Sequence, residues 1–280
     1  MVPIGILTRN RAVCLDATLR SLSATRLPDD ATVVVYDDAS DDAAARRYLD
    51  TDDVFPVVHR WPSCSAWREA GLGFLEDNPV LHGVAGQVEI VRLGDRPLGV
   101  GNASCRAICD LFARCPNAPG VILLQDDIVL TADWYERLAG QLRVVFTPGL
   151  AQGLVAGMHL DHRDWHRHIK PPRAPRTVQF CSAQCYLVTR ELFARARAWF
   201  GRTDHEPKNF DKFLCQESHR RECEVQLLAP YVCQHFGVES LVRPHLEFFR
   251  ERTGRIGLAA RGPFAIADRV RSFLPIPAGV

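Results

Sequence analysis

The chain has 280 residues, with 47% apolar and 24% charged side chains and a formal net charge of +1. This length and composition are ordinary for a globular protein and allow one large α/β domain, or one domain with an appendage. No run of about 18 apolar residues occurs, which argues against a membrane span. The opening Met1–Leu7 lacks the basic start of a signal peptide, so we expect a cytoplasmic protein.

The two halves of the chain carry opposite charge. Residues 1–150 contain 14 Lys and Arg against 20 Asp and Glu, whereas residues 151–280 contain 20 against 13. An acidic half that holds a metal, facing a basic half that holds an anion, is compatible with a phosphate-bearing substrate.

Ten cysteines are present, and none of them form a Cys-x-x-Cys pair. Cys105 and Cys109, and likewise Cys181 and Cys185, are four residues apart, a spacing that places each pair on one helix face. Without an export signal we expect reduced, mostly buried thiols, and a structural zinc site is the minor alternative.

The first 42 residues alternate between strand and helix patterns. Pro3–Thr8 predicts a strand that ends at the polar cluster Thr8–Arg11, and Thr32–Tyr36 predicts a second strand that ends at Asp37 and Asp38. The helix between them is predicted from the apolar stripe of Leu15, Leu19 and Leu22, and a second helix, capped by Ser40, is predicted over Ala43–Leu49. This order predicts parallel strands whose carboxyl ends gather a ligand, although turn and cap chemistry also explains the two acids.

Gly120–Leu130 is the stretch around which the rest is organised. Its apolar run predicts a strand buried on both faces, and the strand leads into the neighbouring acids Asp126 and Asp127. Two adjacent carboxylates are costly to bury unless a partner balances them, and Mg²⁺ or Mn²⁺ is a natural partner. The alternative is a solvated turn that caps a helix near Thr131–Trp134.

Between these segments, residues 50–86 give no clear pattern. Gln87–Leu93 alternates with period two and predicts a further strand. The glycine-bearing loop Gly94–Asn102 then leads into a helix, and Arg106 falls about one turn into it. Backbone donors at such a helix start suit a sugar or a phosphate, although Arg106 is equally compatible with a solvated surface.

The second half offers two isolated candidates. Asp211 lies between Phe210 and Lys212, and an acid among bulky neighbours suits a general base in a cleft, with a helix cap as the alternative. His235 follows an apolar strand, where an imidazole can bind a metal or a phosphate, but a lone histidine is more often structural.

Other segments of this half are predicted from pattern alone. Residues 178–188 predict a strand pair, Glu191–Trp199 predicts a helix, and the histidine-rich residues 159–170 predict a basic loop over the active edge rather than a zinc site. The last thirty residues contain a weak amphipathic stretch.

The order of these motifs resembles that of a GT-A glycosyltransferase over residues 3–240. Pro3–Arg11 and Val33–Ser40 resemble the opening of glycosyltransferase family 2, and Gly120–Trp134 resembles the metal-binding strand of that superfamily, with Gln125 at its first position. The segments that also look like the N-acetylglucosaminyltransferase I group are residues 102–138, 209–213 and 230–240.

This resemblance implies an α/β fold with a mostly parallel sheet and helices on both faces. It implies one GT-A domain over residues 1–245, in which 1–150 bind the nucleotide sugar and 151–245 the acceptor, followed by a C-terminal tail over 246–280. The implied reaction is the inverting transfer of a sugar from a nucleoside diphosphate, with UDP expected, to an acceptor hydroxyl, assisted by Mn²⁺ or Mg²⁺.

The resemblance also implies roles for individual residues. Asp127 would bind the metal directly with help from His235, and Asp126 would reach a ribose or a water. Asp211 would deprotonate the acceptor hydroxyl. The residues implied in donor binding are Thr8 and Arg9 in the nucleotide pocket, Asp37 or Asp38 on the base or ribose, and Arg106 near the sugar or diphosphate.

Two other readings and several acceptors remain open at this point. A nucleotidyltransferase has the same fold class, but it usually carries a lysine-containing glycine-rich loop where Thr8–Arg11 stands. A non-catalytic sugar-binding or nucleic-acid-binding protein on a transferase scaffold is the other reading. The acceptor is a glycan, a lipid-linked precursor, a peptide or a hydroxymethylated DNA base, and the last would depend on the basic second half.

Overall fold

The structure is a computed structural model of the whole chain. It describes residues 1–23, 25–28, 30–42, 88–144, 149–157, 184–205, 210–228 and 232–235. Outside these ranges lie several predicted segments: the helix after Ser40, residues 50–86, the histidine-rich 159–170, the first strand of the 178–188 pair, and the C-terminal tail.

Seven of the described strands form one sheet, in the spatial order β3-β2-β1-β4-β7-β6-β8. They are β1 Ile4–Thr8, β2 Val33–Asp37, β3 Val88–Arg92, β4 Gly120–Gln125, β6 Ala151–Ala156, β7 Cys185–Thr189 and β8 Cys223–Leu227. The first four strands are mutually parallel, β7 runs antiparallel to β4 and β6, and β6 is parallel to β8. The predicted mostly parallel α/β fold is therefore confirmed.

Helices cover both faces of this sheet. They are α1 Ala12–Ser23, α2 Gly99–Arg114, α3 Trp134–Gly140, which continues as a 3₁₀ turn over Gln141–Arg143, α4 Arg190–Arg195, α5 Arg197–Phe200 and α6 Phe210–Arg220. Alternate strand residues point to opposite faces, so that Val33 and Val35 pack with α1 and α3, whereas Val34 and Tyr36 pack with α2 and α4 to α6. The sheet is thus the middle layer between two apolar cores.

A separate two-stranded sheet holds the chain just after the two central acids. Its strands are β5 Ile128–Leu130 and β9 Cys233–His235. On its other edge β5 is held by α1, because the hydroxyl of Thr18 accepts the Ile128 N–H at 3.1 Å and that of Ser21 accepts the Leu130 N–H at 2.7 Å. These bonds fix the turn between β4 and β5.

Two local predictions need correction. Cys185 lies in strand β7, where it pairs with β4, so the four-residue spacing from Cys181 does not indicate a helix there. The helix predicted over Glu191–Trp199 is divided into α4 and α5 at Ala196, whose carbonyl accepts the N–H groups of both Trp199 and Phe200.

None of the helices in the described ranges is long and apolar enough to cross a membrane.

Candidate functional site

Asp126 and Asp127 lie in the turn between β4 and β5, at the carboxyl end of the parallel strands. Their exposed fractions are only 3% and 2%. Burial excludes the solvated turn that the sequence also allowed. Two ionised carboxylates side by side in the interior require hydrogen-bond donors and a compensating positive charge.

The compensating charge comes from Arg11, which lies in the loop between β1 and α1. One guanidinium nitrogen lies 3.0 Å from Asp126 Oδ1 and the other donates to Asp127 Oδ2 at 2.6 Å. The hydroxyl of Thr8 donates to Asp126 Oδ2 at 2.7 Å. The planar guanidinium fork therefore bridges both acids, and this is a geometry that arginine makes well and lysine does not.

The pKa values reflect this tight pairing. Burial raises the pKa of Asp126, and the neighbouring Asp127 charge adds to it, although Arg11 and the Thr8 hydroxyl oppose the shift. Burial alone would lower the pKa of Arg11, but the charges of the two carboxylates outweigh it and raise that pKa well above its ordinary value. Arg11 is therefore a permanent cation within the site.

The loop that carries Arg11 is fixed through Asn10. Asn10 has a left-handed backbone, with φ of 53°, which asparagine tolerates better than most residues. Its N–H donates to Ser40 Oγ at 2.9 Å, and its side-chain oxygen accepts the N–H groups of Asp41 and Asp42 at 2.8 and 2.9 Å. The loops after β1 and β2 are thereby joined, which holds the backbone beside the acids.

The second acid pair, Asp37 and Asp38, has different partners. Asp37 is 1% exposed and accepts the N–H of Ser40 at 3.0 Å, and Arg92 lies 3.3 Å from its other oxygen. Asp38 accepts the N–H groups of Leu98 and Gly99 at 2.6 and 3.0 Å. These are the turn and cap contacts of the alternative reading, so their place on a base or ribose stays a prediction.

The cap made by Asp38 also corrects the predicted glycine-bearing loop. Because its carboxylate accepts the first N–H groups of α2, the helix begins at Gly99. Two donors that the sequence offered to a ligand are therefore used within the protein.

Two further arginines lie at the same edge of the sheet. Arg9 follows β1 and is half-buried, and its Nε has no hydrogen-bond partner among the residues that the structure describes. Arg106 is exposed on α2 and donates to the carbonyl of Leu93 at 3.0 Å, just beyond β3. Their roles in donor binding stay predictions.

Asp211 lies on a different element, in the first turn of α6, and is half-buried. Burial raises the pKa of the Tyr186 phenol in β7, and the negative charge of Asp211 adds to that shift. Tyr186 pairs with Leu123 of β4, the strand that leads to the central acids. The role of Asp211 as a base stays a prediction.

The backbone of His235 is beside the central acids. In the β5–β9 ladder His235 pairs with Ile128, the residue that follows Asp127. Its proposed part in metal binding stays a prediction.

The donor set of this site fits a hard divalent cation. No group of three or more His, Cys, Asp or Glu side chains that could hold a metal ion occurs within the described part of the chain. Mg²⁺, however, is usually bound through one or two carboxylates together with water and substrate phosphates, and Mn²⁺ accepts the same oxygen ligands. The buried pair Asp126 and Asp127 supplies two such carboxylates.

Sequence reasoning missed Arg11 and Asn10 as site residues. Both belong to the polar cluster Thr8–Arg11 at a strand end, and only the first two members of that cluster were assigned roles. The signal that points to Arg11 is the need of two adjacent buried acids for a cation, which the sequence analysis assigned to a metal alone.

Comparison with solved structures identifies the fold. The mannosyltransferase PcManGT from Pyrobaculum calidifontis, in complex with GDP-Man and Mn²⁺, matches with a TM-score of 0.53 and 17% identity, over 98% of this chain and 69% of that chain. Glucosyl-3-phosphoglycerate synthase from Mycobacterium tuberculosis, in complex with Mn²⁺, UDP and glucosyl-3-phosphoglycerate, gives 0.48 and 13%, over 99% and 81%. TarS 1–349 from S. aureus, in complex with UDP-GlcNAc, gives 0.48 and 13%, over 96% and 70%.

No family model and no curated protein matches the sequence. The match to PcManGT shows that the chain has the GT-A fold, as the sequence resemblance implied, so this prediction is confirmed. The likeness to the N-acetylglucosaminyltransferase I group stays a prediction. At 17% identity the match establishes architecture, and the reaction has to be argued from the site.

Proposed function

We propose that the protein is a metal-dependent glycosyltransferase that moves a sugar from a nucleoside diphosphate, UDP being the expected nucleotide, to an acceptor hydroxyl with inversion. The observation that carries this proposal is the buried pair Asp126 and Asp127 at the carboxyl end of β4, in a sheet with the GT-A architecture. Ligands of open α/β sheets gather at this edge.

Each residue has a defined task in this proposal. Asp127 holds Mn²⁺ or Mg²⁺ with His235, and Asp126 orients a ribose or a water. When bound, the metal supplies Lewis-acid neutralisation of the charge on the departing diphosphate, which is generally worth several kcal/mol. The residues assigned to the nucleotide and diphosphate are Thr8, Arg9, Asp37, Asp38 and Arg106.

Asp211 serves as the general base. Its carboxylate accepts the proton of the acceptor hydroxyl, and the hydroxyl oxygen forms a bond to the anomeric carbon as the bond from that carbon to the diphosphate breaks. One such displacement inverts the anomeric centre. The half-buried position of Asp211, whose charge acts on Tyr186, supports this assignment, because a general base has to stay accessible to the acceptor hydroxyl.

The test of the proposal is a thermal-shift screen of nucleotide sugars with and without Mn²⁺. A cognate donor is expected to raise the melting temperature more in the presence of the metal, because a ligand that binds only the folded state stabilises it. Nucleoside triphosphates with sugar phosphates belong in the same screen, since a nucleotidyltransferase would respond to them. If no nucleotide sugar shifts the melting temperature under either condition, the proposal fails.

Asp211→Asn tests the catalytic half of the proposal. Because the amide cannot accept the proton, the transfer rate should fall by about 10²–10⁴-fold, while the donor-dependent thermal shift persists. The measurement is transfer to acceptor alongside donor binding. A variant with normal turnover would remove Asp211 from the mechanism.

A further inference from the structure

Arg11 holds one oxygen of each carboxylate that is assigned to the metal site. Its guanidinium lies 3.0 Å from Asp126 Oδ1 and 2.6 Å from Asp127 Oδ2, and its side chain is only 10% exposed. Such a short, two-pronged and largely dehydrated ion pair is among the stronger charge-assisted contacts in proteins. The negative charge of the acid pair is therefore already balanced by a side-chain cation of the protein.

A divalent cation and this guanidinium compete for the two carboxylates. At contact distance two positive charges repel each other, and the repulsion is larger in a buried site than in water. Binding of a metal at Asp127 is therefore opposed for as long as the Arg11 guanidinium stays on Asp127 Oδ2. A displaced, buried guanidinium is itself unfavourable until it finds another anion.

The nucleotide provides that anion in the proposed reaction. A diphosphate accepts the arginine fork as readily as a carboxylate pair does. The backbone on either side of Arg11 is fixed, because Asn10 is bonded to Ser40, Asp41 and Asp42 and α1 begins directly after Arg11. The change of partner is thus confined to the side chain.

We infer that Arg11 is a positioning residue that links metal binding to nucleotide binding, an inference that rests on the proposed function. Its guanidinium neutralises Asp126 and Asp127 in the ligand-free protein, and it would bind the diphosphate once Asp127 held a metal. Each ligand then facilitates the other, and by linkage the coupling is the same in both directions. The wild-type protein should accordingly bind Mn²⁺ weakly alone and more tightly with UDP.

The experiment measures Mn²⁺ affinity from the electron paramagnetic resonance signal of the free ion, with and without saturating UDP. In Arg11→Gln the competitor is gone, so Mn²⁺ alone should bind about 10-fold more tightly than in wild type, and the gain from UDP should shrink about 10-fold. The matched control is Arg92→Gln, which removes an equal charge beside Asp37 and should leave both values within about twofold of wild type.

The outcomes separate this inference from the function on which it rests. A wild-type protein that binds no Mn²⁺ even with UDP overturns both. Wild-type binding with an Arg11→Gln variant that binds Mn²⁺ no more tightly, or that keeps the full gain from UDP, overturns the inference alone. Arg11→Lys keeps the charge without the fork, so if the glutamine variant fails to fold, an Arg11→Lys affinity for Mn²⁺ alone below that of wild type overturns it, and a value between wild type and about 10-fold tighter supports it.

Discussion

The two Asp-Asp pairs at the ends of β2 and β4 have the same local sequence pattern but different hydrogen-bond partners. Asp38 is bound by the backbone N–H groups of Leu98 and Gly99, and Asp37 by the N–H and hydroxyl of Ser40 with Arg92 at the surface. Asp126 and Asp127 share one buried side-chain cation, the guanidinium of Arg11, and Asp126 also accepts the hydroxyl of Thr8 and the N–H of Arg9.

This difference separates a structural acid from a candidate ligand. A backbone donor is committed to its acceptor, because releasing it would leave a helix or turn N–H without a partner. A side-chain donor can rotate away and exchange for another cation. Asp126 and Asp127, which share one buried side-chain cation, are therefore the pair better suited to binding a metal.

The largest effect is expected at Asp127. Asp127→Asn should lower the Mn²⁺-dependent transfer rate by about 10³-fold, because the metal's contribution of several kcal/mol is lost. The measurement is the ratio of rates with Mn²⁺ and with EDTA. Asp38→Asn should keep that ratio even where its donor affinity falls, and a loss of the ratio in Asp38→Asn would erase the distinction between the two pairs.

A pH effect of intermediate size is expected from Asp126. Its pKa is raised by burial from 3.8 to about 6, so between these values the folded protein binds more protons than the unfolded chain. Stability from this group is present below pH 4 and is lost as pH rises through 6, by about 3 kcal/mol in total. Urea unfolding from pH 4 to 7.5 should show this fall in wild type and not in Asp126→Asn. Parallel curves would mean that Asp126 titrates normally.

Removal of the helix cap should have a smaller effect. Asp38→Ala leaves the Leu98 and Gly99 N–H groups without their acceptor and should lower the unfolding free energy by about 2 kcal/mol. Chemical denaturation measures it. Asp38→Asn, which keeps one acceptor oxygen, is the control and should lose less; equal losses would point to charge rather than capping.

The smallest effect is expected at Arg92. Its side chain is 47% exposed and contacts Asp37 at 3.3 Å, so Arg92→Gln should change the unfolding free energy by less than about 1 kcal/mol. A large loss on denaturation would show that the Asp37 pair also depends on a side-chain cation, and the comparison would then lose its basis.

Much of the fold was predictable from local pattern. The β-branched runs of β1 and β2, the leucine stripe of α1 and the apolar run of β4 each specify an element through their own periodicity. The order of strand and helix predicts parallel strands and a common ligand edge. The strand at Cys185 lies in the strand pair predicted over residues 178–188, whereas the break at Ala196 was not predictable, because it depends on packing against neighbouring elements.

The sequence by itself determined that a buried strand ends in two acids at the carboxyl edge of a parallel sheet. Only the tertiary structure decided which partners those acids have. Arg11 is 116 residues from Asp127, and it reaches that acid because β1 lies next to β4 in the sheet. Hydrophobic periodicity specifies which face of a strand is buried, but the neighbour of each strand is set by the packing of the whole chain, so a contact across two strands cannot be read from either one alone.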